Sequence, residues 1–279
     1  MHGKVVVMTG GTSGIGEVAA ARLAGLGARL VLVARDRARG EATLARLRAR
    51  GVGHVAHYAD LSLIADTKRV AAEIAAAEPR IDVLINNAGA MFGRRRVTAD
   101  GLELTFATNH MSHFLLTHGL RERLLASAPA RVVNTSSAAH RRAGLDFEDL
   151  QSTRDYRGFT AYSRSKLCNI LYTRELARRS AGTGVTANCL HPGFVATRFG
   201  DASGGFFSYV VRASKKVFAI SSEKGAETLV YLASSPEVAT ISGGYFYQCQ
   251  LATPTRAAQD DAAARRLWVE TARLAGLSG

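Results

Sequence analysis

Cysteine, proline and long apolar runs are all scarce in this chain of 279 residues. Its three cysteines, Cys168, Cys189 and Cys249, are too far apart for a disulfide framework or a metal knuckle, so we expect buried free thiols. Charges interrupt every hydrophobic stretch well short of the ~18 apolar residues of a membrane-spanning helix. An apolar run already begins at Val5, which predicts neither a signal peptide nor an anchor helix. The composition therefore predicts a soluble, cytoplasmic protein without a membrane partner.

Acidic residues are also few, at 23 against 36 basic ones, and the formal net charge is +13. A strongly basic chain raises the question of a polyanionic partner. Its densest basic clusters, 94–96 and 141–142, lack the interleaved aromatic residues of nucleic-acid-binding surfaces. We therefore interpret the charge as a solvated face and expect no nucleic-acid partner.

Apolar runs of strand length alternate with helix-length amphipathic stretches along the whole chain. Continuous apolar strands that are each followed by a helix are typical of a parallel sheet covered on both faces. Strands are expected at 5–8, 29–34, 54–58, 81–85, 131–134, 185–190 and near Tyr245. Helices are expected at 17–26, 36–50, 62–77, 101–127, 159–179, 223–234 and 257–275. The sequence thus predicts an α/β fold with one doubly wound parallel sheet, in a single domain over 1–279.

A glycine-rich turn, Thr-Gly-Gly-Thr-Ser-Gly-Ile-Gly at 9–16, joins the first strand to the first helix. Glycine is needed where the backbone turns tightly or approaches a pyrophosphate closely. The helix N-terminus adds free N–H donors and the positive end of its dipole. Such turns also occur without a ligand, but a strand before and a helix after favour nucleotide binding. No Gly-Lys-Ser/Thr follows, which argues against a nucleotide triphosphatase.

The end of the second strand should distinguish NAD from NADP. An acidic residue there binds the adenosine ribose, and a basic one binds a 2′-phosphate. Arg35 favours NADP(H), whereas Asp36 lies ~20 residues past the glycines, where the general pattern expects the acid. Asp36 is interpreted first as the N-cap of the next helix, and Arg35 could be a solvated charge. These residues alone leave the cofactor open.

Tyr162 and Lys166 are four residues apart on a predicted helix, so they share one face. An ammonium group near a phenol lowers the pKa of the tyrosine, as proton transfer near neutral pH requires. A tyrosine and a lysine at this spacing are common by chance, but two polar segments support a catalytic role for this pair. Segments 86–89 and 134–137 both end predicted strands, at the sheet edge where open α/β folds bind ligands.

Taken together, these motifs resemble the short-chain dehydrogenase/reductase family. The matching segments occur in family order, at 9–16, Asp60, 86–89, Asn109, 134–137, Tyr162 with Lys166, and 192–193. Within the family the chain is most similar to the retinol dehydrogenase group, through 128–134, 149–151, 173–177, 191–193, 242–246 and 266–268. The resemblance implies a Rossmann-type fold and reversible NADP(H)-dependent reduction of a ketone or aldehyde by hydride transfer.

The resemblance also implies a role for each matching residue. Tyr162 would donate the proton to a carbonyl, and Lys166 would lower its pKa. Ser137 would polarise the carbonyl, with Ser136 the weaker candidate, and Asn109 would hold a water that links Lys166 to solvent. The implied cofactor-binding residues are Gly10, Thr12, Ser13, Gly14, Ile15, Gly16, Arg35, Asp60, Leu61, Asn87, Ala88, Gly89, Tyr162, Lys166, Pro192, Gly193, Val195 and Thr197.

Segment 198–222 is rich in aromatic residues and is expected to form a lid over the nicotinamide. Such a lid suits a bulky apolar carbonyl substrate, although these side chains could equally be core or dimer contacts. The resemblance also implies a homodimer, paired through the helix of Tyr162. His110 and His113 show no metal-ligand spacing, so we expect structural roles for them and no metal.

A second class of function is a non-catalytic NADP(H)-binding sensor or scaffold. Asn109, Ser137, Tyr162 and Lys166 are all present, and a sensor has no need for a proton relay. The enzymatic interpretation is therefore favoured.

Overall fold

The computed structural model describes residues 1–51, 53–193 and 221–277. In this part of the chain one sheet has the strand order β3-β2-β1-β4-β5-β6-β7-β8. All neighbours are parallel except the last pair. The strands are β1 (Val5–Thr9), β2 (Arg29–Ala34), β3 (Val55–Tyr58), β4 (Val83–Asn86), β5 (Ala130–Thr135), β6 (Val185–Leu190), β7 (Tyr245–Tyr247) and β8 (Gln250–Leu251).

Helices cover both faces of this sheet, because alternate side chains of its buried strands point to opposite sides. Val6 and Met8 pack with α1 and α8 on one face, and Val7 packs with α3, α5 and α7 on the other. The helices are α1 (Gly14–Gly25), α2 (Arg37–Leu47), α3 (Ile64–Ala77), α4 (Leu104–Phe106), α5 (Ser112–Gly119), α6 (Arg121–Ala126), α7 (Gly158–Arg179), α8 (Ser222–Ser234) and α9 (Asp261–Leu274). The predicted doubly wound Rossmann-type fold is confirmed.

One predicted helix, 101–127, is not a single regular element. After α4 the chain forms a π-helical turn over Ala107–Met111, and α5 and α6 are separated at Leu120. The wider turn contains Asn109, whose side chain is bonded outside the helix to both backbone polar atoms of Ala90. A π turn is frequent at functional sites and has no marker in the hydrophobic pattern.

Helix α7 is buried on nearly all sides, since α9 lies over it. Trp268 of α9 stacks on Tyr172 with 5.7 Å between ring centroids and meets Phe114 edge-on at 5.0 Å. The guanidinium of Arg179 lies 4.4 Å from the Trp268 ring centroid. A helix covered in this way offers its polar side chains to the protein interior rather than to solvent.

Three further expectations concern the rest of the chain. The predicted lid at 198–222 lies outside the described residues except for its last two, Ser221 and Ser222, which form the N-cap and first residue of α8. Cys168 and Cys189 are buried free thiols, but Cys249 is only half-buried because it occupies the turn between β7 and β8, so the expectation of burial is wrong for it. None of the described helices is long and apolar enough to cross a membrane.

Candidate active site

The predicted site residues that the structure describes gather along the carboxyl edge of the sheet. Most lie in the segments that follow β1 to β6, where these parallel strands end. Asn109 and the pair Tyr162 and Lys166 come from the π-helical turn and α7, which pack beside this edge. Val195 and Thr197 lie outside the described residues. The structure therefore brings one cleft together from segments far apart in the sequence.

The glycine turn is packed too tightly for larger residues. A Cβ on Gly16 would lie 2.0 Å from the carbonyl oxygen of Gly10, and one on Gly10 would lie 2.9 Å from the backbone of Ala88. Gly10 and Gly14 also have positive φ angles, which glycine adopts without strain. Ser13 precedes α1 as its N-cap without a side-chain hydrogen bond to the helix, so the first N–H groups of α1 remain available to an anion.

Thr9 is a residue of this turn to which sequence reasoning assigned no function. Its hydroxyl accepts hydrogen bonds from the backbone N–H of Asn87 at 2.9 Å and of Ala88 at 3.0 Å. The Asn87 amide in turn donates to the Gly10 carbonyl at 3.2 Å. These bonds join the glycine turn after β1 to the polar segment after β4, so the two walls of the cleft share one framework.

At the end of β2, Arg35 and Asp36 differ in how they are used. Asp36 accepts a hydrogen bond from the backbone N–H of Arg39 at 3.0 Å and caps α2, as its interpretation as an N-cap predicted. Arg35 is exposed, and within the described part of the chain it has no hydrogen bond or ion pair. One strand further, the Asp60 carboxylate accepts hydrogen bonds from the backbone and hydroxyl of Ser62.

Asn109 and Gly89 lie beside the lysine. A Cβ on Gly89 would be 3.1 Å from Lys166 Nζ and 3.2 Å from Asn109 Oδ1. Asn109 Oδ1 accepts from Ala90 N at 2.7 Å, and its Nδ2 donates to Ala90 O at 2.9 Å and to Ser165 Oγ at 2.9 Å. The Asn109 side chain thus fixes the segment after β4 against α7.

The central group of the site is Tyr162, which is 8% exposed. Burial raises the pKa of its phenol to about 12, and a hydrogen bond with Ser137 opposes this rise. Lys166 Nζ lies 5.7 Å from the centroid of the Tyr162 ring and donates to the carbonyl of Thr135 at 3.0 Å. Burial lowers the pKa of Lys166 to about 7.

This arrangement differs from the expected effect of Lys166 on the tyrosine. The sequence predicts a lowered tyrosine pKa, whereas burial raises it in the structure. Burial works against the phenolate, and the ammonium is bonded to a carbonyl and is itself driven towards its neutral form by burial. The phenol therefore keeps its proton at neutral pH.

The two candidate serines are placed differently. Ser136 is buried, and its hydroxyl donates to the backbone carbonyl of Lys166 at 2.7 Å. Ser137 is half-buried, bonds to Tyr162 and accepts from Ala139 N at 3.2 Å. Of the two, Ser137 is the hydroxyl positioned to share a ligand atom with the tyrosine.

Comparison with known proteins agrees with this geometry. A family model described as short chain dehydrogenase matches residues 4–204. The chain is 41% identical to human retinol dehydrogenase 14 over 299 residues, which covers 99% of this chain and 88% of that protein. The chain belongs to the short-chain dehydrogenase family. It is accordingly an oxidoreductase that acts on alcohol or carbonyl groups with a nicotinamide cofactor.

Solved structures of other short-chain dehydrogenases and related proteins share the fold. A protein from Mycobacterium paratuberculosis has a TM-score of 0.79 at 31% identity, over 99% of this chain and 95% of that chain. The RhlG/NADP active-site complex of Pseudomonas aeruginosa has a TM-score of 0.69 at 28% identity, over 88% and 94%. The second of these contains NADP.

The residues of this short-chain dehydrogenase fit a dinucleotide. Side chains at Gly10 and Gly16 would fill the space next to the α1 N-terminus, whose N–H groups suit a pyrophosphate. Gly193, with φ of 86°, follows β6 at the same edge together with Pro192. The structure therefore offers a cradle for the phosphates and a backbone turn on the side of Tyr162.

Proposed function

We propose that the protein reduces ketones or aldehydes to alcohols with NADPH, and catalyses the reverse oxidation with NADP⁺. The observation that carries this proposal is the placement of Tyr162 at the carboxyl edge, hydrogen-bonded to Ser137 and adjacent to Lys166. A carbonyl oxygen between the two hydroxyls would accept a hydrogen bond from each. NADPH supplies the hydride when it is bound.

Tyr162 is the proton donor in this proposal. Since burial holds the pKa of the phenol at about 12, it carries its proton at neutral pH and can transfer it to the carbonyl oxygen as that oxygen becomes an alkoxide. Ser137 holds the same oxygen in place. Lys166 lies next to the ring, where its ammonium stabilises the phenolate that remains. In alcohol oxidation the proton moves the other way, so the phenol must first lose its proton, and its raised pKa opposes this step.

The preference for NADP over NAD rests on Arg35. Its guanidinium is exposed at the end of β2 without an ionic partner among the described residues, whereas Asp36 is occupied as a helix cap. A free cation at this position suits a 2′-phosphate. NADP in the RhlG complex from Pseudomonas aeruginosa is consistent with this choice.

A bulky apolar carbonyl or alcohol is the proposed substrate, and the cytoplasm is the proposed location. Human retinol dehydrogenase 14, which is similar over nearly the whole chain, is named for an apolar alcohol.

The homodimer stays a prediction. Because α9 covers α7 within one chain, two copies that met on this side would touch through α9. Light scattering would give the oligomeric state.

A screen of aldehydes and ketones with the purified protein tests the function. We expect consumption of NADPH with bulky apolar carbonyls and much slower consumption of NADH. Tyr162→Phe should lower kcat by ~10²–10⁴-fold while NADPH still binds. NADPH binding without turnover of any carbonyl would instead favour a sensor or scaffold. Turnover limited to small charged carbonyls would overturn the substrate proposal.

A further inference from the structure

The backbone carbonyl of Thr135 accepts two side-chain hydrogen bonds in the protein interior. Lys166 Nζ donates at 3.0 Å, and Asn169 Nδ2 donates at 3.2 Å. The same Asn169 nitrogen donates to the backbone carbonyl of Asn109 at 3.0 Å. Asn169 is completely buried, three residues after Lys166 on α7. It thus connects the acceptor of the lysine to the π-helical turn.

The orientation of the Asn169 side chain follows from these partners. Both carbonyl oxygens can only accept, so the NH₂ group must face them and Oδ1 must face the other way. Oδ1 is buried there and lacks a hydrogen bond of normal geometry to any described residue, as does Nδ1 of His110. Burial lowers the pKa of His110 to about 4, and a hydrogen bond with the Asn169 side chain opposes this. The two unsatisfied atoms therefore belong to side chains that interact.

The other ring nitrogen of His110 faces the C-terminal helix. Nε2 lies 2.9 Å from Thr271 Oγ1, and the ring is held between Phe106 at 5.2 Å and Tyr172 at 5.9 Å. A neutral imidazole has one N–H. With this proton on Nδ1 it donates to Asn169 Oδ1, and Nε2 accepts the Thr271 hydroxyl. This tautomer places the N–H on the side of Asn169 Oδ1 and leaves Nε2 to accept from Thr271.

We propose that His110 and Asn169 are positioning residues for Lys166, with His110 orienting the Asn169 carboxamide and Asn169 fixing the Thr135 carbonyl that receives the lysine. The inference rests on the proposed function, in which Lys166 stabilises the phenolate of Tyr162. Neither positioning residue touches the reacting atoms. Their effect on kcat is exerted through the position of Lys166.

Two substitutions of His110 separate positioning from packing. His110→Asn keeps a donor near the position of Nδ1, and His110→Gln keeps a polar group near Nε2 only. Both remove the ring contacts, and glutamine fills more of the space. Packing alone therefore predicts that H110Q is the more stable and at least as active. Positioning predicts that H110N has the higher kcat, on the order of tenfold, with KM for the carbonyl unchanged.

Asn169→Leu keeps the side-chain volume and removes the amide, so its kcat should fall to about that of H110Q. If the His110 variants do not fold, Asn169→Leu tests the inference in their place. Ser163→Ala is the matched control. Ser163 is also on α7 and completely buried, and its hydroxyl has no hydrogen-bond partner within the described part of the chain. This variant should keep the wild-type kcat.

A measurement without turnover reports on the lysine directly. The chain has six lysines, so a spectrum of ¹³Cε-labelled lysine is simple, and Lys166→Arg identifies the Lys166 signal. In cofactor-free protein we expect its titration midpoint to rise in N169L and H110Q. The Thr135 carbonyl then serves the ammonium alone, which favours the charged form. H110N should leave the midpoint in place.

The outcomes separate this inference from the proposed function. Turnover by the wild type, with equal kcat in H110N and H110Q or an unmoved Lys166 midpoint in N169L, overturns the positioning role alone. A wild type that reduces no carbonyl refutes the proposed function, and the lysine titration then decides the positioning role by itself.

Discussion

The Nζ atom of Lys166 lies 5.7 Å from the ring centroid of Tyr162, and both side chains are buried. The Lys166 ammonium donates a hydrogen bond to the backbone carbonyl of Thr135 at 3.0 Å. Burial is the largest influence on the pKa of both groups: it raises the pKa of the phenol and lowers that of the ammonium. At neutral pH the phenol of Tyr162 therefore keeps its proton.

The titration of Tyr162 in cofactor-free protein tests this assignment. Because its pKa is raised to about 12, the phenol should stay protonated up to pH 10, the ordinary midpoint of tyrosine, and ionise only above it. The ultraviolet difference between wild type and Tyr162→Phe during alkaline titration isolates this one group. Phenolate absorbance near neutral pH would contradict the dominance of burial.

Substitution of Arg35 should change cofactor preference without much change in kcat. Arg35→Ala removes the cation proposed for the 2′-phosphate, and a hydrogen bond to a charged group contributes about 1.5–3 kcal/mol. The Kd for NADPH should therefore rise roughly ten- to a hundredfold, and the Kd for NADH should not.

Asp36→Ala is the control for the Arg35 variant. Loss of the cap on α2 should lower the free energy of unfolding by about 1 kcal/mol and leave the ratio of NADPH to NADH affinity unchanged. A large change in that ratio would mean that Asp36 contacts the cofactor.

Two glycines of α1 should respond in opposite ways to alanine. In Gly16→Ala the new Cβ would meet the Gly10 carbonyl oxygen at 2.0 Å, so the turn must move, and binding of NADPH should be lost. In Gly25→Ala no atom of the described residues lies within 4 Å of the new Cβ, and stability should rise by roughly 0.5 kcal/mol. Cofactor fluorescence and thermal unfolding measure the two effects. Equal affinity for NADPH in both variants would show that the glycine turn does not bind the cofactor.

Trp268 is predicted to anchor the C-terminal helix over α7. Trp268→Ala removes its contacts with Phe114, Tyr172 and Arg179 and should cost about 3 kcal/mol of unfolding free energy. Val269→Ala, at a neighbouring position that is 51% exposed, should change it by less than about 0.5 kcal/mol. Denaturant unfolding compares them, and similar losses would show that α9 adds little to the core.

The sheet could be predicted from the sequence because its strands are buried on both faces. The run at 29–34 is apolar after Arg29, and 185–190 interleaves its apolar residues with Thr186 and Asn188; the bounds of both agree with β2 and β6. The π-helical turn could not be predicted in this way. It is held by Asn109 bonding to Ala90, a contact between distant segments that leaves no local period.

The residues of the candidate site also fall into two groups, those that the sequence identifies and those that only the fold identifies. Tyr162 and Ser137 could be identified from the sequence as site residues. They lie in motifs whose residue types and spacing match the chemistry of proton transfer to a carbonyl. Thr9, His110 and Asn169 act through partners that only the fold brings near, and their hydrogen bonds are made with backbone atoms or with other side chains. The motifs around Thr9 and His110 can be identified in the sequence, but these hydrogen bonds do not follow from them.

The strand order also has a consequence for the growing chain. The edge of β1 that faces β4 stays open while the ribosome adds residues as far as Val83, because β2 and β3 extend the sheet only in the other direction. An open edge of Val6, Val7 and Met8 is able to pair with another chain. Pairing of β4 with β1, with the Thr9 hydroxyl accepting hydrogen bonds from Asn87 and Ala88, covers this edge, and the open edge then moves to β4 until β5 has been synthesised.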